Sequence, residues 1–159
     1  TQKFKSSVCL NSESAIQNLK GGFTMEFDTK IKLILREDLE MWQKLNITAF
    51  LMSGIGGTQN IIGQPYVDKD NVHYLPMSQQ PIMIYSSSGE KMSELLEKAL
   101  TKEVVIAIYT EELFNTYNDE DNRAMVANYS TKELNLVGIA IRGKKNHVDK
   151  LFKGYDLHK

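Results

Sequence analysis

The stretch REDLEMWQKLN (36–46) gathers residue types on which reaction chemistry draws: a guanidinium at Arg36, a carboxylate at Asp38, an ammonium at Lys44 and an amide at Asn46. A carboxylate can accept a proton or activate a water, and an ammonium can orient a polar group or stabilise a developing anion. An apolar run, IKLIL (31–35), precedes the stretch and apolar-periodic residues follow it, so it sits where a strand hands over to a helix. Open α/β sheets assemble sites at such places, because side chains from neighbouring strand ends converge in the crevice there. A plain alternative reads Arg36 and Asp38 as a local ion pair, Trp42 as core and Lys44 as solvated, since exposed charges are generally worth little.

A second polar group follows a later strand. Tyr109 ends an apolar run, Asn118 and Asp119 stand where a helix would start, and Asn122 and Arg123 lie one turn further on. Together with Arg36, Asp38 and Asn46 they are the candidates for one ligand pocket at the strand ends. Each also has a structural role: Tyr109 can end a strand, Asn118 or Asp119 can cap a helix, and Arg123 can pair with Asp119 or Glu120 across a turn. On a helical wheel Asn46 falls beside Trp42 and Ala49, so its amide is expected to be partly buried and in need of partners. Lys44 and Thr48 project from the other side.

The elements that must position these residues alternate. IKLIL, PIMIY (81–85), VVIAIY (104–109) and LVGIAI (136–141) have strand length, and the last two, apolar throughout, predict strands covered on both faces. Residues from about 39 to 53 suit a helix with Trp42, Leu45, Ala49 and Met52 inward; GEKMSELLEKALTK carries a stripe of Met92, Leu95, Leu96 and Ala99. EELFNTY and DEDNRAMVANY read as helical pieces, and KKNHVDKLFKG as a final amphipathic helix stopping at Gly154. In the long 54–80 connection, PYVD and VHYL flank KDN as a small hairpin with an Asp/Asn turn. Connections of that length are often functional. The pattern specifies an α/β protein, a three-layer α/β/α sandwich around a mixed sheet of four to five strands.

Composition sets the outer limits. With 159 residues, 42% hydrophobic and 25% charged, the chain has the material for one buried core, expected as a single domain over 25–159. Residues 1–24 read as an N-terminal appendage with a short helix capped by Ser12 and ended at Gly21 and Gly22, and Met25 is a candidate initiator. No run has the roughly 20 apolar residues of a membrane span and the first residues lack the apolar core of a secretory signal, so a soluble, cytoplasmic protein is expected, with no membrane partner. Cys9 is the single cysteine, which excludes an intrachain disulfide and a multi-thiolate zinc site. His73, His147 and His158 are scattered, NDEDNRAM lacks the glycine and bidentate Glu of a calcium loop, and GIGG (54–57) follows a helix rather than a strand. No metal and no cofactor is expected, and GIGG is read as a flexible helix exit. The net charge of -1 argues against a broad nucleic-acid footprint, although residues 142–159 hold six Lys or Arg against Asp149 and Asp156.

Two family resemblances add to this. LILREDLEM (33–41) resembles the strand-to-helix signature of type II peptidyl-tRNA hydrolases, Arg-x-Asp-Leu-x-Met, and LVGIAIRGKKNHVDKLFKGYDLH resembles that family's final strand, helix and closing strand. LNITAFLMSGI, GQPYVD, YLPMSQQPI, YTEELFNTYNDEDNRAMVA and VDKLFKG are more closely similar, in order, to an uncharacterised bacterial family known as domain of unknown function two thousand, grouped with the same fold. The resemblance implies a type II peptidyl-tRNA hydrolase-like sheet and the possibility of a homodimer. It also implies an ester hydrolase, with Lys44 orienting the scissile group, Asp38 or Asp119 assisting a water and the basic tail holding nucleic acid. The match is incomplete: the Gly before Lys44 and the later Gln and His of that helix are absent, and TEELFNTYNDEDN replaces an Asp-Ala-Gly-x-Thr segment. Three functions therefore stand: a domain that binds a small molecule or peptide, an ester hydrolase, and a non-catalytic dimeric interaction module.

Overall fold

The computed structural model describes residues 27–159; the expected N-terminal appendage lies outside them. Strand β1 (Thr29–Arg36) leads through a four-residue link into helix α1 (Met41–Thr58). Hairpin strands β2 (Tyr66–Val67) and β3 (His73–Tyr74) follow, then β4 (Ile82–Ser87), α2 (Gly89–Ala99) and β5 (Val104–Thr110). A 3₁₀ turn at Glu111–Asn115 precedes α3 (Asp119–Ala127), and β6 (Leu136–Lys144), α4 (Lys145–Leu151) and β7 (Asp156–Leu157) complete the chain.

Five of these strands form one mixed sheet in the order β5-β6-β1-β4-β7. β1 and β4 are parallel, Leu33 opposite Ile84, and β6 runs antiparallel to both β1 and β5. The carboxyl ends of β1, β4 and β5 therefore share one edge of the sheet. α1 covers one face, packing Ile47, Leu51 and Ile55 onto Leu33, Leu35, Val137 and Ala140. α2 and α4 cover the other, with Met92, Leu95, Val148 and Leu151 on Ile34, Ile139 and Ile141. The result is three layers, and each fully buried aliphatic side chain contributes about 1.5–3 kcal/mol. No described helix is long and apolar enough to cross a membrane.

Several local signals act as their chemistry requires. Asn118 caps α3, its Oδ1 accepting from the Asp121 N–H at 2.8 Å. In the hairpin, Asp68 Oδ1 accepts from the N–H groups of Asp70 and Val72 while Asn71 takes a positive φ of 62°. Gly154 turns the chain after α4 with φ of 87°. α1 begins without a Ser or Thr cap; Gln43 Oε1 accepts from the Glu40 N–H at 2.9 Å instead.

Other expectations are corrected. α1 buries Ile47, Leu51 and Ile55, not the Trp42, Leu45, Ala49 and Met52 stripe; Trp42 is 59% and Leu45 65% exposed. The helix is apolar around most of its circumference, so periodicity alone does not single out a face. GIGG is its last turns rather than a flexible exit. β5 is an edge strand with Val105 exposed, since only β6 pairs with it, whereas β6 is buried from Leu136 to Ile141. Of the basic tail, Arg142 is engaged, donating to Gln59 Oε1 at 3.2 Å, while the tail's Asp149 accepts from Lys30 at 2.6 Å and Lys32 at 2.9 Å of β1, and Lys32 lies under the rings of Tyr85 and Phe152.

Candidate functional site

α1 carries three stripes. Ile47, Leu51 and Ile55 point at the sheet; Trp42, Asn46, Phe50 and Ser53, spaced by four, four and three, form a flank toward β5 and the 111–127 segment; Met41, Lys44, Leu45 and Thr48 form the opposite flank. The Trp42 flank lines a groove with two adjoining lobes of about 700 and 580 Å³, which share Phe50, Ser53, Tyr109, Leu113, Asp119 and Asn122.

Aromatic rings wall this groove. Trp42 meets Phe114 edge-on at 5.6 Å between centroids, Phe114 meets Tyr109 at 5.3 Å and Tyr109 meets Phe50 at 6.0 Å. The polar groups among them are mostly amides. Tyr109 OH donates to Asn46 Oδ1 at 3.4 Å, and burial pushes the Tyr109 phenol above its usual range, so it remains a neutral donor. Thr116 donates to Asn122 Oδ1, and Asp119 forms an ion pair with Arg123 one turn along α3. Aromatic faces flanked by amides suit a flat or apolar group bearing hydrogen-bonding functions.

Of the sequence candidates, Asn46, Tyr109, Asn118, Asp119 and Asn122 line the larger lobe and Arg123 the smaller. Lys44 lines a different hollow across α1. Arg36 and Asp38 line neither lobe. The Arg36 guanidinium instead bridges the strand ends: Nε donates to Asp38 Oδ1 at 2.6 Å, and Nη1 lies 2.8 Å from Glu111 Oε2 and 3.1 Å from Asn135 Oδ1. Burial opposes its charge, but the hydrogen bonds it donates to Glu111 and Asp38 outweigh this and leave its pKa raised, and Arg36 holds the Glu111 carboxyl below its ordinary value. The sequence reading missed Glu111 and Asn135, and also the walls Phe50 and Phe114. The Trp42–Asn46–Phe50 spacing was the available signal for the walls. The 54–80 connection contributes Gly54 alone; the rest forms α1's last turn and a hairpin arm. Among the described residues no group of three or more His, Cys, Asp or Glu converges as a metal site would need.

The family described as Protein of unknown function (DUF2000) matches residues 29–159. The chain belongs to that family. The DUF2000 match begins at the first residue of β1 and includes every strand of the sheet and both walls of the groove. Among solved structures, the chain is similar to a protein of unknown function from Agrobacterium tumefaciens, at 42% identity and a TM-score of 0.81, over 84% of this chain and 100% of that one. No curated protein matches.

Proposed function

We propose that this DUF2000 domain binds a small molecule or peptide in the groove between α1 and the 111–127 segment. The carrying observation is the convergence of four aromatic rings, Trp42, Phe50, Tyr109 and Phe114, with the amides of Asn46, Asn118 and Asn122 around one hollow. The ligand class is an aromatic or flat apolar group carrying amide-type donors and acceptors; N-acetylphenylalaninamide is a simple probe. In nuclear magnetic resonance titrations the probe should move the signals of Trp42, Asn46 and Asn118–Asn122, and Phe50→Ala with Phe114→Ala should abolish the shifts. Shifts confined to another surface overturn the reading.

The likeness to type II peptidyl-tRNA hydrolases, carried by LILREDLEM, supports kinship of shape within this reading and not the reaction. Lys44 and Asp119 line separate cavities on opposite flanks of α1, and Asp38 is paired with Arg36, which favours binding over Lys44 acting with Asp38 or Asp119 on an ester. No turnover of peptidyl-tRNA is expected, and salt-sensitive turnover in that assay would restore the hydrolase.

A second reading, a dimeric interaction module, is favoured by the hairpin arm, whose Tyr66, Val67, Val72, Tyr74 and Leu75 are all exposed. It predicts a mass in sedimentation that rises with concentration and reverts to monomer with Leu75→Asp.

A further inference from the structure

The far flank of α1 borders a separate hollow of about 330 Å³. Leu35 and Ile84 contribute from adjacent strands of the sheet, and Met41 and Leu45 from the helix, so most of its lining is aliphatic. Its polar groups are Lys44, Thr48, His158 and Lys159, and no Asp or Glu lines it. The Thr48 hydroxyl is already committed, donating to the Lys44 carbonyl at 2.8 Å. Among the described residues no carboxylate pairs with the Lys44 ammonium. His158 is held in place by its backbone N–H, which donates to Ile84 O at 2.9 Å, while its Nε2 is buried without a hydrogen-bond partner.

The Lys44 ammonium therefore borders a largely aliphatic hollow with no acidic side chain to meet it, and a ligand that brings a negative charge matches it. A carboxylate supplies that charge, its oxygens accepting from Lys44 Nζ in charge-assisted bonds. The aliphatic walls then take a hydrocarbon tail. At water's share of about 30 Å³ per heavy atom, the volume holds on the order of ten heavy atoms.

We propose that this hollow is a second ligand site, specific for a medium-chain carboxylate and independent of the aromatic groove. The probe is sodium octanoate, with octanol as its neutral counterpart, titrated into the full chain and followed by calorimetry and by amide and imidazole resonances. Octanoate should shift Met41, Lys44, Leu45, Thr48 and His158 and leave Phe114–Asn122 unmoved, and octanol, with no charge to pair with the Lys44 ammonium, should bind at least about tenfold more weakly. Lys44→Met should reduce octanoate affinity about tenfold while Lys44→Arg retains it, and Phe114→Ala should leave it unchanged; an unperturbed amide spectrum establishes that each variant is folded. Equal affinity for octanoate and octanol overturns the proposal. So does unchanged binding in Lys44→Met, or the absence of any shift at millimolar octanoate.

Discussion

Arg36 ties three segments together with one planar group, since its side chain is 15% exposed and reaches Asp38, Glu111 and Asn135. Replacing it by Met removes hydrogen bonds to charged partners, each worth about 1.5–3 kcal/mol when shielded. The acids themselves are half exposed and regain water, which lowers the expected loss to about 1–2 kcal/mol, readable by urea denaturation. The pH dependence follows from the same contact. Glu111 is held below its ordinary value of 4.5 chiefly by the hydrogen bond from Arg36, and Asp149 below 3.8 chiefly by that from Lys30 and then Lys32. A carboxyl with a depressed folded-state pKa stabilises the fold above its unfolded value, and that stability is lost as pH falls through the folded one. Stability should therefore be level at neutral pH and decline once pH drops below about 4.5. In Glu111→Gln the decline should be shallower, because Asp149 alone of these two then titrates.

At the scale of elements, α1 decides the site because its three stripes meet different surroundings. Ile47 is fully buried against the sheet, so Ile47→Ala should cost about 2–5 kcal/mol, whereas Leu45→Ala on the exposed flank should cost under about 0.5 kcal/mol. Reversed magnitudes in thermal or chemical unfolding would restore the inward Leu45 stripe. The helix lies so close to β6 that a Cβ at Gly138 would collide with Ile47 Cγ2 and crowd Leu51 Cδ1. Gly138→Ala should accordingly cost about 1–3 kcal/mol by overpacking. α3 depends on its cap more than on burial, since it has no fully buried residue. Asn118→Ala should lose about 1 kcal/mol and fray the first turn, visible as faster amide exchange at Asp121.

Across the whole molecule, protection from amide exchange should fall from the centre of the sheet outward. β1 and β6 are paired on both sides and buried on both faces, while the β2–β3 arm is exposed throughout, so β1 and β6 should exchange slowest and the arm fastest. The same gradient separates what was legible in the chain from what was not. The strand runs, the α2 stripe of Met92, Leu95, Leu96 and Ala99, a helix cap at Asn118 or Asp119 and the Asp/Asn hairpin turn were readable, because each depends on residues within a turn or two of one another. The sequence by itself thus determined the order of elements, the layered α/β class and the family signature. Only the tertiary structure decided that α1 turns Ile47 inward and Trp42 toward a groove, that β5 lies at an edge, and that Arg36 faces Glu111 and Asn135 while Lys44 faces another hollow. An apolar helix has several faces of nearly equal hydrophobicity, and the one that is buried is set by the relief of the sheet beneath it, here the gap at Gly138, which no local pattern encodes.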